Sequence, residues 1–176
     1  DVTNMDLSDV IKSADAVIHL AAITDAAGSF EKAEQVEKRN FAATRNVAEA
    51  CTAKGIPLIY PSTTSVYGTQ KEVVDEDCSE EDLKPQSPYA ETKLKEEALL
   101  SEMAKSGKLQ HVTFRFGTIF GTAPGMRFHT AVNKFCFQAV MGQNLTVWST
   151  ALDQKRPYLD LRDAVGVVVH TIKTGL

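Results

Sequence analysis

Three neighbouring segments restrict the fold of this chain more than anything else in it. Ala16-Val17-Ile18-His19-Leu20 is a short apolar run with β-branched residues at its centre, the mark of a strand buried on both faces. Residues 31–54 are rich in Ala, Glu and Lys, with Val36, Ala43, Val47 and Ala50 at helical period, and predict a long helix. Gly55 stops it, in the position that tolerates a left-handed backbone. Pro57-Leu58-Ile59-Tyr60 then predicts a second buried strand. Strand, long helix, strand is a βαβ unit, and such crossovers are right-handed and belong to a parallel sheet.

The alternation continues along the chain. Residues 6–12 predict a short helix capped by Asp6 or Ser8. Residues 69–86 are acidic and aperiodic, so they predict a surface loop. Ser87 followed by Pro88 is a pairing that helix starts favour, and the helix it opens runs to about Ser106, before Gly107. His111–Phe116 predicts a third strand, after which glycines at 117, 121 and 125 break the pattern. Residues 128–141 return to helix, residues 145–148 predict a short strand, and residues 163–173 predict a last helix with Val165, Val168, Val169 and Ile172 on one face. The order is α/β throughout, without internal repeats.

Composition narrows the function classes. A chain of 176 residues suits one domain, or one and part of another. Hydrophobic residues at 43% and charged ones at 24% are ordinary for a globular protein. A net charge of -4 with scattered Lys and Arg argues against nucleic acid as a partner. No apolar stretch approaches the roughly 20 residues of a membrane span, so no membrane partner is expected. Asp1-Val2-Thr3-Asn4 has neither an initiator Met nor the basic and apolar regions of a signal peptide. Cys51, Cys78 and Cys136 are odd in number, with no C-x-x-C and no His at zinc spacing. Reduced thiols, a cytoplasmic location and no metal are the expectation.

Two segments carry chemistry. Ser62-Thr63-Thr64-Ser65-Val66-Tyr67-Gly68 ends a predicted strand in hydroxyls, and Ser87-Pro88-Tyr89-Ala90-Glu91-Thr92-Lys93 sets a tyrosine and a lysine one helical turn apart. Tyr89 and Lys93 therefore share a helix face. A free tyrosine titrates near pH 10, and an ammonium within about 4–6 Å favours its phenolate. Such a phenolate is a general base at neutral pH, and a nearby hydroxyl can share the substrate proton. The pair predicts oxidation at an alcohol carbon. Alone, Y-x-x-x-K is a weak motif that also describes a solvated helix face.

The remaining segments supply context. His19-Leu20-Ala21-Ala22 ends the first strand, Asn40 opens Asn40-Phe41-Ala42-Ala43-Thr44 inside the long helix, and Arg115-Phe116-Gly117-Thr118-Ile119-Phe120-Gly121 follows the third strand. Arg156-Pro157-Tyr158-Leu159-Asp160-Leu161-Arg162-Asp163 precedes the last helix. In this order and spacing the chain resembles the extended short-chain dehydrogenase/reductase family, in its NAD-dependent nucleotide-sugar epimerase/dehydratase branch. The resemblance implies a Rossmann-like doubly wound parallel sheet, with its first strands missing, and the start of a small α/β substrate-binding region. The implied domains are residues 1–121 for the NAD-binding part, 122–162 for the substrate-binding region and 163–176 for a helix returning to the first domain.

Roles follow by resemblance. Tyr89 is the base, Lys93 its electrostatic partner and a ribose contact, and Thr63 the hydroxyl that bonds the reacting group. Asp1 and Val2 contact adenine, and Leu20, Ala21 and Ala22 let NAD pass over a small-residue strand end. Asn40 braces the helix and strand behind it. Arg156 holds the substrate diphosphate with its planar fork of donors. Thr64, Thr118 and Asn133 are further substrate positions, and Arg127, His129 and Trp148 lie where the substrate loop runs. The implied activity is that of a UDP-glucose 4-epimerase-like enzyme on a nucleotide sugar, with a homodimer formed through residues 31–54 and 88–106, where Leu94, Ala98, Leu99 and Met103 are available. Plainer readings stand beside these: Thr63 and Ser65 as caps, His19 as a satisfied core residue, Arg156 as surface charge.

Departures from the family pattern matter as much. No glycine cluster precedes Gly55, so the loop that cradles a dinucleotide diphosphate is not in this sequence. The expectation is a piece beginning near the end of the third strand of the complete sheet. Family dehydratases place acidic residues after the catalytic Thr, where this chain has Thr64 and Ser65, which do not titrate near neutral pH. That favours an epimerase, with a sugar-nucleotide reductase or dehydratase, or a non-catalytic nucleotide-binding module, as the alternatives. Thr118 also stands where many sugar epimerases carry Asn.

Overall fold

The computed structural model describes residues 1–24, 28–68, 73–128, 130–149 and 152–176. The chain forms two compact units, Asp1–Arg115 with Thr174–Leu176, and Phe116–Lys173.

The first unit is built on helices α1 (Ser8–Ile11), α2 (Ala33–Lys54) and α3 (Pro88–Lys105) and strands β1 (Val17–Ile18), β2 (Leu58–Thr63) and β3 (His111–Phe116), the last ending at the unit boundary. The sheet order is β1-β2-β3. β1 and β2 are parallel, with Val17 opposite Leu58 and Ile18 opposite Ile59. The predicted βαβ unit is thus present, α2 being its crossover. Gly55 ends α2 at φ 64°, and its N–H closes on the carbonyls of Cys51 and Thr52. That left-handed conformation strains any residue with a Cβ.

Packing follows the sequence periods. Leu58 and Tyr60 join Leu7, Ile11, Val47, Ala48, Cys51, Leu100 and Leu109 in one core, while Ile59, pointing to the other face of the sheet, is also fully buried. Burying each such aliphatic side chain contributes about 1.5–3 kcal/mol. β2 runs on past Tyr60 to Thr63 and contains Pro61. Its missing donor is harmless there: Val17 N–H bonds Pro57 O and His19 N–H bonds Ile59 O, so the donor that Pro61 lacks falls past the end of β1.

The second unit contains strands β4 (Thr118–Phe120) and β5 (Tyr158–Asp160) and helices α4 (Ala131–Val140) and α5 (Leu161–Thr174). β4 and β5 pair in parallel, Thr118 opposite Tyr158 and Phe120 opposite Asp160. Gly117 lets the two backbones meet, since a Cβ there would sit 2.8 Å from the Pro157 carbonyl oxygen. This pairing corrects the expected strand at 145–148. That segment forms no strand, and Leu145, Val147 and Trp148 are exposed. Its β-branched and aromatic residues favour a pleated surface only where a strand pairs with them. Among the described residues no helix is long and apolar enough to cross a membrane.

Candidate active site

The first site elements lie at the carboxyl ends of β1 and β2, the crevice where open α/β sheets bind ligands. Ser87 caps α3 as expected, its Oγ accepting from Ala90 N–H at 3.2 Å with Pro88 next in the helix. Tyr89 therefore stands in the first turn, half-buried, and its own N–H donates to the buried Ser29 hydroxyl at 3.3 Å. One turn on, Lys93 is 3% exposed and faces inward. Its ammonium lies 6.0 Å from the centre of the Tyr89 ring and 4.4 Å from that of Tyr60. It donates to Tyr60 Oη at 3.0 Å and to the Pro61 carbonyl at 3.1 Å, two residues before Thr63 on the same strand.

Thr63 ends β2, and its Oγ1 accepts from Ser65 N–H at 3.1 Å, capping the 3₁₀ turn Thr64–Tyr67. The plainer reading of Thr63 as a cap is thus a contact of this structure. Accepting one bond leaves the hydroxyl proton to donate elsewhere. α3 packs against both β2 and this turn.

Lys93 is not held by Tyr60 alone. Glu96, fully buried, lies 3.6 Å from its ammonium. Thr44 on α2 donates to Glu96 Oε1 at 2.7 Å, and Tyr60 donates to Glu96 Oε2 through a short bond. Because the single Thr44 proton goes to Glu96, Thr44 Oγ1 must accept from His19 Nε2 at 3.1 Å, which assigns the Nε2–H tautomer. His19 also stacks on Tyr60, ring centres 6.3 Å apart. Burial, and then the charge of Lys93, push the imidazole down to about 4. His19 is therefore a neutral, satisfied core residue, as the plainer reading had it. Burial and then Glu96 push the Tyr60 phenol far up, so it stays a donor. Burial lowers Lys93 while Glu96 opposes the shift.

A second set of contacts braces the strand end. Ser62 donates to Glu97 through a short bond, and Arg115 grips the same carboxylate, Nη2 to Oε2 at 2.7 Å and Nε to Oε2 at 3.1 Å. Arg115 Nη1 donates to Tyr67 Oη at 3.0 Å. Burial alone would lower the guanidinium, but its bonds to Glu97 and Tyr67 override that and raise it. β2, α3, β3 and the Val66-Tyr67-Gly68 turn are joined at one ion pair.

Asn40 is 2% exposed, accepts from Ile23 N–H at 2.8 Å and donates to Ile23 O at 3.0 Å. Both amide functions hold the backbone just after Leu20, Ala21 and Ala22. Leu20 is 71% exposed, and Val2, Leu20 and Ala21 line a common apolar cleft of about 260 Å³ with Leu7, Ile11, Val17, Ile18, His19 and Val47. Asp1 is exposed, its Oδ1 accepting from Thr3 N–H at 3.0 Å.

The other positions fall in the second unit. Thr118 is exposed on β4, its N–H bonded to Pro157 O at 2.9 Å. Asn133 is buried, accepting from Gly121 N–H at 3.2 Å and donating to Arg127 O at 3.1 Å, so its amide shapes the loop ahead of α4. Arg156 is exposed and donates to Gln154 at 3.2 Å. Trp148 is 82% exposed. His129 lies outside the described residues.

Sequence reasoning overlooked Glu96, Glu97, Thr44, Tyr60 and Ser62. The signal was present in their spacing. Glu96 and Glu97 follow Lys93 at i+3 and i+4, Tyr60 and Ser62 share one face of a strand, and Thr44 interrupts the apolar stripe of α2 beside Val36, Ala43 and Val47.

Comparison with known proteins bears on this geometry. Over 164 residues the chain is 31% identical to the uncharacterized UDP-glucose epimerase YtcB of Bacillus subtilis (strain 168), covering 91% of this chain and 49% of the relative. It is 27% identical to a UDP-glucose 4-epimerase of Azospirillum brasilense, covering 92% of this chain and 51% of that one. The fold superposes on the UDP-glucuronic acid 4-epimerase from Bacillus cereus, solved in complex with UDP-glucuronic acid and NAD, with a TM-score of 0.86 at 31% identity. That match covers 100% of this chain and 55% of the solved one. The chain spans about half the length of these relatives. The family model for the NAD dependent epimerase/dehydratase family matches residues 1–175, and the chain belongs to that family.

Proposed function

We propose that this chain carries the catalytic face of an NAD-dependent nucleotide-sugar 4-epimerase. The observation that carries this reading is the buried Lys93 ammonium, 6.0 Å from the Tyr89 ring and bonded to the strand that ends at Thr63. The residues fit a dinucleotide. Asn40 fixes the backbone after β1, and Val2, Leu20 and Ala21 present an apolar wall suited to a flat ring. NAD, when bound, takes up the hydride of the sugar carbon and gives it back. Tyr89, kept as phenolate by the Lys93 charge, accepts the proton of the sugar hydroxyl, and Thr63 shares it. Arg156, with its exposed planar fork, holds the diphosphate about which the oxidised sugar turns before the proton returns. Asp1 lies beside the adenine, and Thr64, Thr118 and Asn133 complete the substrate contacts, with residues 122–162 as the substrate-binding region.

The relatives support a UDP-sugar as substrate: an epimerase 31% identical to this chain was solved with UDP-glucuronic acid and NAD bound. Thr64 and Ser65 follow Thr63 where a dehydratase needs acidic groups, which favours epimerisation over elimination. The protein works in the cytoplasm, where Cys51, Cys78 and Cys136 stay reduced, and pairs with a second copy through α2 and α3, with no nucleic acid as partner.

The discriminating experiment follows nicotinamide absorbance during turnover of a UDP-sugar by the gene product carrying this chain. An epimerase inverts the sugar with no net change. A change stoichiometric with product assigns the protein to the reductases and dehydrogenases and overturns the proposal.

A further inference from the structure

Glu96 is the most deeply buried carboxylate described, and the mechanism above gives it no task. It lies on the face of α3 that carries Lys93, one turn further along, with no exposed surface. A carboxylate or an ammonium taken alone into such a place is expensive and tends to neutralise. Here each has the other at 3.6 Å, and each is also hydrogen-bonded. Both carboxylate oxygens are held by hydroxyls from different elements, Thr44 from α2 and Tyr60 from β2. Thr44 is itself oriented by His19 from the end of β1. Tyr60 hands its proton to Glu96 and turns its lone pairs to Lys93. The donors thus converge on the Glu96 carboxylate from two sides, His19 through Thr44 and Lys93 through Tyr60, an arrangement in which the bonds polarise one another.

We propose that Glu96 is a positioning residue for Lys93: its carboxylate, fixed by Thr44 and Tyr60, sets where the ammonium stands beside Tyr89 and keeps it charged. This rests on the reading of Tyr89 and Lys93 as the proton-transfer pair. Among the groups around Lys93, Glu96 is the carboxylate that acts on it most strongly. Tyr60 from β2 and Thr44 from α2 are neutral donors, and His19 from the end of β1 is neutral. Glu97, on the same helix, attracts the ammonium more weakly than Glu96 and is gripped by Arg115. With the carboxylate gone, burial would act on Lys93 against the weaker pull of Glu97 alone, and the ammonium would shed its proton at lower pH.

The test uses the complete gene product, with Glu96→Gln to remove the charge at constant shape and Glu96→Asp to restore it. Expected is a downward move of about 1 pH unit in the alkaline limb of the kcat profile for Glu96→Gln, largely reversed in Glu96→Asp. A readout free of turnover is the titration of the Lys93 Cε resonance in isotope-labelled protein, assigned with Lys93→Arg, which moves down by the same amount. Superimposable profiles and titrations in wild type and Glu96→Gln overturn the proposal. Should Glu96→Gln fail to fold by circular dichroism, Thr44→Val, which removes one of the two hydroxyls, carries the test. A smaller shift in the same direction supports the proposal, and none refutes it. Tyr89→Phe separates the two claims. If it loses turnover while Glu96→Gln leaves the Lys93 titration unmoved, only the role of Glu96 falls. If Tyr89→Phe turns over like wild type, the reading of the site falls first.

Discussion

His19 gives the folded protein a pH dependence that can be worked out in sign. Its imidazole titrates at about 4 in the fold against 6.5 when free, because burial and the charge of Lys93 disfavour its protonation. Between those values the unfolded chain binds the proton and the folded one does not, so stability falls as pH drops from about 6.5 towards 4. The loss over that window is about 3 kcal/mol at most, and His111, lowered by burial, adds to it in the same direction. A His19→Gln variant, whose amide can still donate to Thr44, is expected to flatten the slope. Urea midpoints at pH 7 and pH 5 check this, and an unchanged difference between them contradicts it. Asn40 makes a second residue-scale prediction. Asn40→Ala strands the Ile23 N–H and carbonyl that the amide now satisfies, at a cost of about 2 kcal/mol or more in chemical denaturation. Asn40→Asp keeps the acceptor but sets a carboxylate against the Ile23 carbonyl, and is expected to recover little.

The elements are held by contacts that differ in how firmly they resist change. Arg115 and Glu97 join β2, α3 and β3 through side chains 21% and 11% exposed, so their pairing is worth less than a fully buried one but more than a surface bridge. Arg115→Met leaves Glu97 without a cation and is expected to lower stability by about 2 kcal/mol. Arg115→Lys recovers only part of this, since it lacks the fork and the reach to Tyr67. In the second unit Gly117→Ala drives a Cβ into the Pro157 backbone, whereas a Cβ at Gly125 meets nothing within 4 Å. The first is expected to cost about 1–3 kcal/mol and the second almost nothing, a contrast thermal melting reads directly. At this scale the sequence was legible where period and punctuation agreed. Helix α2, its stop at Gly55, the Ser87 cap and the strands at residues 17 and 58 rest on local chemistry. It was misleading where pairing decides. Leu145 to Trp148 have strand propensity without a partner, while Tyr158-Leu159-Asp160 become a strand because Gly117 admits them beside β4. Glu96 escaped notice for a related reason: a helix of mixed charges does not reveal which carboxylate turns inward until Thr44 and Tyr60 converge on it.

Across the whole molecule, the site residues sort by what a single chain can supply. Tyr89, Lys93, Thr63, Asn40 and the strand end at Leu20 belong to the first unit, and Thr118, Asn133 and Arg156 to the second. No glycine cluster precedes Gly55 to bring backbone N–H groups against a diphosphate. The 176-residue chain alone is therefore expected to bind NAD more weakly than micromolar in isothermal titration, and a micromolar constant would contradict that. The central claim, that Tyr89 moves the substrate proton under the charge of Lys93, is tested most directly by turnover of a UDP-sugar in the complete gene product with Tyr89→Phe. The account predicts a fall of about 10²–10⁴-fold in kcat, with NAD binding retained. Turnover equal to wild type would show that the proton goes elsewhere.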